Sequence, residues 1–156
     1  VQPARPIEDV VLVTLDGQPM RFSDLRGKWT LIAFAATDCL KPCERNLYRM
    51  RQVIAAQGEK ADRVQSVLVL TDSKALDWWR YTIKDYPGMR VVVVPPPALA
   101  ALARQFTLPA GSPLDNPYRI YLIDPLGNLM MSYPADADPN GLRKDLARLL
   151  RVSRIG

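Results

Sequence analysis

One stretch limits what this chain can fold into more than any other: residues 29–48, WTLIAFAATDCLKPCERNLY, which hold both cysteines. Residues 30–36 form a short apolar, β-rich run bounded by Gly-Lys before it and Thr-Asp after it, which predicts a buried central strand. Directly behind it stands Cys39-Leu-Lys-Pro-Cys43, and then a helical pattern expected to run to about Gln57, with Gly58 ending it. Cys43, Leu47, Met50 and Ile54 recur at four, three and four residues, the spacing of one helix face turned to a core. Cys43 is therefore expected to face inward. Cys39 lies near the helix N-terminus and is expected to face solvent, where unpaired N–H groups and the helix dipole favour a thiolate.

Three uses of such a pair are open. Residues four apart on a helix are neighbours, so the two sulfurs can close a disulfide. The same placement lets two thiolates grip one soft metal ion. A third reading is a pair of inert core thiols, because free cysteine is among the most buried residue types. A structural zinc site is less favoured still, since with 2 cysteines and 0 histidines the four ligands it wants are missing.

The rest of the chain places this unit. Residues 1–9, with Pro3 and Pro6, read as an extended N-terminal tether, and residues 10–156 as a single domain. Residues 10–14 and 20–22 predict a hairpin around Asp16-Gly17. A β-rich run at 64–70 and Thr71-Asp72-Ser73 as a cap precede a helix expected from Lys74 to about Tyr86, with Leu76, Trp79, Ile83 and Tyr86 as its inner stripe and Trp78 at the rim. A short strand at 91–94 and a helix at 98–106 follow, then a Pro/Gly/Ser-rich loop over 107–117. Residues 119–124 and 129–133 predict a second hairpin, and Asp138-Pro139 opens a last helix that fades near Leu150. Strands alternating with helices give a mainly parallel sheet, and the hairpins add antiparallel edges. The fold class is α/β, a three-layer α/β/α sandwich with an N-terminal β-hairpin extension.

Composition excludes little beyond disorder: 48% of the residues are hydrophobic and 24% charged, as in ordinary globular domains. No apolar run reaches the length of a membrane span, and the opening VQPARPIEDV lacks the basic-then-apolar start of a signal peptide. The net charge of +5 would draw acidic partners, yet its densest cluster, Arg143, Lys144, Arg148, Arg151 and Arg154, sits on a C-terminal amphipathic helix and reads as a solvated face. No nucleic-acid motif accompanies it.

The order of elements and the cysteine placement resemble a thioredoxin-type fold. The closer resemblance is to the Sco/SenC family, membrane-tethered thioredoxin-fold proteins that assist copper-site assembly in cytochrome c oxidase. It rests on LDGQPMRFSDLRGK, on IAFAATDCLKPCE and on IYLIDPLGNL, and spans about residues 15–150. That family binds copper through two cysteines and a histidine lying five residues before the aromatic of Y-L-I-D. Counting back from Tyr121 lands on Asn116, preceded by Asp115. The resemblance therefore implies a site in which the copper histidine is replaced by asparagine, with Asp38, Lys41, Pro42, Asp115, Asn116 and Pro117 beside the cysteines. Pro42 lies inside the cysteine loop, unlike the family's proline, and Pro117 stands one residue earlier than the cis-proline of thioredoxins.

Three functions follow as expectations. In the first, a thiol-disulfide oxidoreductase or assembly factor, Cys39 attacks, aided by Lys41 or Arg45, and Cys43 resolves; no cofactor is required, and Asp38 and Glu44 oppose thiolate formation. Its client, by resemblance, is a paired-cysteine protein such as an oxidase subunit. In the second, a copper chaperone, Cys39 and Cys43 hold Cu(I), with Met130 or Met131 as a third ligand. The third is a non-enzymatic module that binds an assembly partner, with the two cysteines as a static bridge. A peroxidase is disfavoured, because Thr37 lies two rather than three residues before Cys39. The resemblance further implies a periplasmic monomer held at the inner membrane by a segment ahead of residue 1.

Overall fold

A computed structural model describes residues 3–39, 41–115 and 118–153. Its strands are β1 (Arg5–Pro6), β2 (Val11–Thr14), β3 (Pro19–Arg21), β4 (Trp29–Ala35), β5 (Val64–Leu70), β6 (Met89–Val93), β7 (Ile120–Ile123) and β8 (Asn128–Tyr133). Its helices are α1 (Lys41–Ala55), α2 (Leu76–Thr82), α3 (Pro96–Gln105) and α4 (Pro139–Val152).

Every residue of β4 and of β5 is buried, as expected of strands covered on both faces. They pair in parallel with each other, and β5 pairs in parallel with β6. The late hairpin β7–β8 adds antiparallel to β4, while the early hairpin β2–β3 adds antiparallel to β6. The sheet order is β1-β8-β7-β4-β5-β6-β2-β3, so β4 lies inside it, with the early hairpin at one edge.

Side chains alternate across a strand, and that alternation divides the core in two. Leu31, Ala33 and Ala35 join Cys43, Leu47 and Met50 of α1, Trp79 of α2, and Leu142 and Leu146 of α4. Ile32 and Phe34 point the other way, to Leu99 and Leu102 of α3 and to Phe106. The result is the thioredoxin-like α/β/α sandwich that the alternation of elements predicts. On the α3 face, Phe106 meets Phe34 and Tyr121 edge to face at centroid distances of 5.4 and 5.1 Å, and such pairs add about 0.5–1.5 kcal/mol each beyond the area they bury.

Three details depart from the sequence reading. The second helix begins at Leu76 rather than at 74, because the Asp72 carboxylate accepts from the Lys74 N–H at 3.0 Å and Ala75 leaves the helical region at φ −137°. It ends in a single 3₁₀ turn, Ile83–Asp85. Strand β6 starts at Met89, drawn in early by pairing with Ser66. The lead-in is extended as expected but is bound to the domain: Arg5 and Pro6 pair with Leu129 and Asn128, Ile7 is 4% exposed, and Arg5 Nη1 donates to the Thr107 carbonyl at 2.8 Å. Beyond it, Asp9 accepts from the Ser23 N–H at 2.9 Å. Residues 5–9 thus form a strap that joins β8, at one side of the sheet, to β2, near the other.

Candidate functional site

The chain leaves β4 at Ala35 and turns through Ala36, Thr37 and Asp38 to Cys39, ahead of α1. Parallel pairing of Ala35 with Leu70 carries the ends of β4 and β5 out side by side, which brings Thr37 against Asp72. Asp72 accepts from the Thr37 N–H at 3.1 Å and from its hydroxyl, as well as from Lys74. The Thr37 carbonyl in turn accepts from the indole N–H of Trp79 at 3.0 Å. With Thr37 only 3% exposed, these bonds fix the backbone two residues before the cysteine.

Cys39 and Cys43 are joined as a disulfide with their Cα atoms 5.3 Å apart. Cys43 is 1% exposed and Cys39 half-buried, the order of exposure that the helix phase predicts. Asp38, Lys41, Pro42, Glu44 and Arg45 stand exposed around the pair, and Asp115 is exposed on the loop ahead of β7. Asn116 and Pro117 lie outside the described residues. Tyr118, which follows them, adopts a left-handed φ of 72°, costly for a tyrosine, and its carbonyl accepts from Asn46 Nδ2 at 2.7 Å. Asn46 is 3% exposed and sits on α1 three residues after Cys43.

The residues missed by sequence reading are thus Asp72, Thr37, Trp79 in its bonding role, and Asn46. Asp72 reads as a helix cap and Trp79 as packing, because the link to Thr37 depends on the register of β4 and β5. Asn46 did carry a signal. It is a polar residue set between Cys43, Leu47 and Met50 on the inward face, where an apolar one is the default.

Burial works against ionisation of Asp72, but the hydrogen bonds from Thr37 and Lys74 and the Lys74 charge outweigh it and hold the carboxyl below its ordinary value of 3.8. A lowered folded-state pKa contributes stability that is full above the ordinary value and lost as pH falls through the lowered one. The difference in unfolding free energy between the parent and Asp72→Asn should therefore be constant above about pH 5 and shrink in more acidic solution. Denaturant titrations across that range check it; a gap that widens on acidification would contradict the assignment.

For a metal, the sulfurs of the opened pair would be the donors. Among the described residues no group of three or more His, Cys, Asp or Glu side chains converges. The Met131 sulfur lies 3.3 Å from the Tyr133 hydroxyl oxygen, whose proton goes to the Asp145 carboxylate at 2.7 Å. Two thiolates without imidazole suit Cu(I), which accepts few, soft ligands, and not Cu(II).

No helix among the described residues is long and apolar enough to cross a membrane. No curated protein matches the chain by sequence. Its fold is shared with solved structures of low sequence identity. ScoI of Bradyrhizobium japonicum with copper bound is 22% identical, with 92% of this chain and 98% of that one covered at a TM-score of 0.72. A SCO1/SenC family lipoprotein from Bacillus anthracis is 18% identical, covering 96% and 98% at 0.74. A thiol:disulfide interchange protein from Bacteroides sp. is 16% identical, covering 97% and 91% at 0.71. The central strand, the cysteine loop and everything downstream to the last helix fall within one family model, and over residues 29–153 the chain belongs to the family described as transmembrane-like, thioredoxin-like, C-terminal domain.

Proposed function

We propose that the protein is a thiol-disulfide oxidoreductase of the assembly-factor kind, working on paired cysteines of a client protein. The observation that carries this reading is the Cys39–Cys43 disulfide at the carboxyl end of the central strand, with one sulfur half-buried and the other buried behind it. The reduced Cys39 thiolate attacks a client disulfide, a Cys39–client bond forms, and one client thiolate leaves. Cys43 then attacks the Cys39 sulfur, closing the internal disulfide and releasing the second client thiolate. The client gains two electrons and this protein loses them. Asp72, Thr37 and Trp79 hold the loop that presents Cys39.

The natural client on this reading is a cysteine pair that must be reduced before copper can enter, as in a cytochrome c oxidase subunit. The chain would act as a monomer at the periplasmic face of the inner membrane, held there by an N-terminal anchor. The SCO1/SenC lipoprotein among its fold relatives supports the membrane anchor, and the thiol:disulfide interchange protein supports the chemistry.

A second reading has one observation in its favour, the copper bound in the ScoI structure of the same fold. Here the opened pair carries Cu(I) as cargo. Measuring the redox midpoint of the purified protein and titrating Cu(I) into its reduced form separates the two. A defined midpoint without metal uptake supports the oxidoreductase. Tight Cu(I) uptake, lost in both Cys39→Ser and Cys43→Ser but kept in Met131→Leu, supports the carrier.

A further inference from the structure

Asn46 carries an oddity that the loop contacts do not absorb. Its carboxamide is held by one hydrogen bond, from Nδ2 to the Tyr118 carbonyl, which fixes which end of the amide faces which way. The other end, Oδ1, is buried and has no hydrogen-bond partner among the described residues. A buried acceptor left without a donor is costly, and well-built cores seldom contain one.

Its surroundings suggest which donor it is built for. Side chains on an α-helix lean toward the helix N-terminus, so that of Asn46 lies over the turn that bears Cys43, three residues before it. Both residues are at most 3% exposed. In the disulfide, the Cys43 sulfur carries no hydrogen. Once a dithiol reductant breaks the S–S bond and two electrons pass to the pair, a proton taken up with them leaves Cys43 as an S–H shut away from water.

We infer that Asn46 is a positioning residue for the redox pair: its Oδ1 accepts the Cys43 thiol proton in the reduced state and stands unpaired in the oxidised one. The inference rests on the thiol-disulfide reading of Cys39 and Cys43. Its effect is directional. A bond present only in the dithiol form stabilises that form, keeps Cys43 protonated and makes the pair a stronger oxidant. It also polarises the amide, so the bond to Tyr118 tightens on reduction.

The test compares two substitutions by equilibrating the protein with a dithiol reductant of fixed poise. Asn46→Leu removes the acceptor and should lower the dithiol-to-disulfide ratio about threefold, which is about 14 mV for a two-electron couple. Asn46→Asp keeps an acceptor oxygen and removes the donor to Tyr118; its ratio should stay at or above the parent's. Equal shifts in the two would assign the effect to the lost Tyr118 bond and overturn the inference, as would no shift in either. A second measurement needs no change at position 46: in reduced Cys39→Ser protein, the infrared S–H stretch of Cys43 should lie below that of a thiol in apolar solvent. An unshifted band would also overturn it. Neither measurement uses a client, so failure here leaves the client chemistry standing, and a failed client experiment would leave these results standing.

Discussion

Cys43→Ser should turn a transient intermediate into an isolable product. With the resolving thiol gone, the Cys39 thiolate still attacks a client disulfide, but nothing displaces the client from the mixed disulfide that forms. Cys39→Ser should lose exchange altogether, because the remaining thiol, on Cys43, is 1% exposed and cannot reach a protein-borne disulfide. The measurement is non-reducing electrophoresis and intact mass after incubation with a peptide carrying an oxidase-type cysteine pair. A client adduct on Cys43→Ser and none on Cys39→Ser is the expected pattern. A Cu(I) carrier would instead lose most metal affinity with either substitution, and a static bridge would lose only stability. Absence of any adduct on Cys43→Ser under mildly oxidising conditions would sink the oxidoreductase reading.

The second large effect belongs to Trp79, which is 1% exposed and packs on the α1 side of the sheet. Trp79→Ala should cost about 3–5 kcal/mol for the truncated ring, with a further loss because the Thr37 carbonyl no longer has its donor. At roughly 2–4 °C per kcal/mol for a domain of this size, the melting temperature should fall by about 10 °C or more. Trp79→Phe isolates the polar part. It retains most of the packing and should cost about 1–3 kcal/mol for the carbonyl left unpaired in the interior. Because that carbonyl lies two residues before Cys39, Trp79→Phe should also speed amide exchange in the loop, whereas a core truncation on the opposite face, such as Leu102→Ala, should not. Calorimetry and hydrogen exchange on these proteins decide the matter; a Trp79→Phe protein as stable as the parent, with an unchanged loop, would show that the bond holds nothing.

The parts of this architecture that sequence made legible are those with a strong period. Strand β4 is an apolar run between turn residues, and α1 repeats its apolar positions at helical spacing, so the cysteine loop between them and the relative exposure of its two sulfurs could be read directly. The late hairpin was legible because Asp124 and Gly127 mark its turn, the Asp124 carboxylate accepting from Leu126 and Asn128 at 3.0 and 2.9 Å. The clamp on Thr37 was not. It joins residues 35 apart in sequence through strand register, which no local pattern encodes. Strand β1 was missed for a related reason: two residues, one of them proline, carry no period, and what binds them is a neighbour more than a hundred residues away in the chain. The shortened start of α2 belongs with these, since a cap at 71–73 predicts one helix start whereas Asp72 holds both Thr37 and Lys74.

The strap over residues 5–9 has a mechanical consequence. Strands β1 and β2 are six sheet intervals apart, about 29 Å at a spacing of about 4.8 Å if the sheet were flat. The five peptide steps from Pro6 to Val11 reach at most about 18 Å. The sheet must therefore coil, and the strap is the chord across its curve. A pull applied ahead of Arg5 loads the pairing with β8 and the Arg5 bond to the Thr107 carbonyl just beyond α3 before it reaches that chord. The load thus enters the sheet at β8, two strands from β4, so the strand that carries the sulfur pair is not the first element to feel tension on the N-terminal side of the chain.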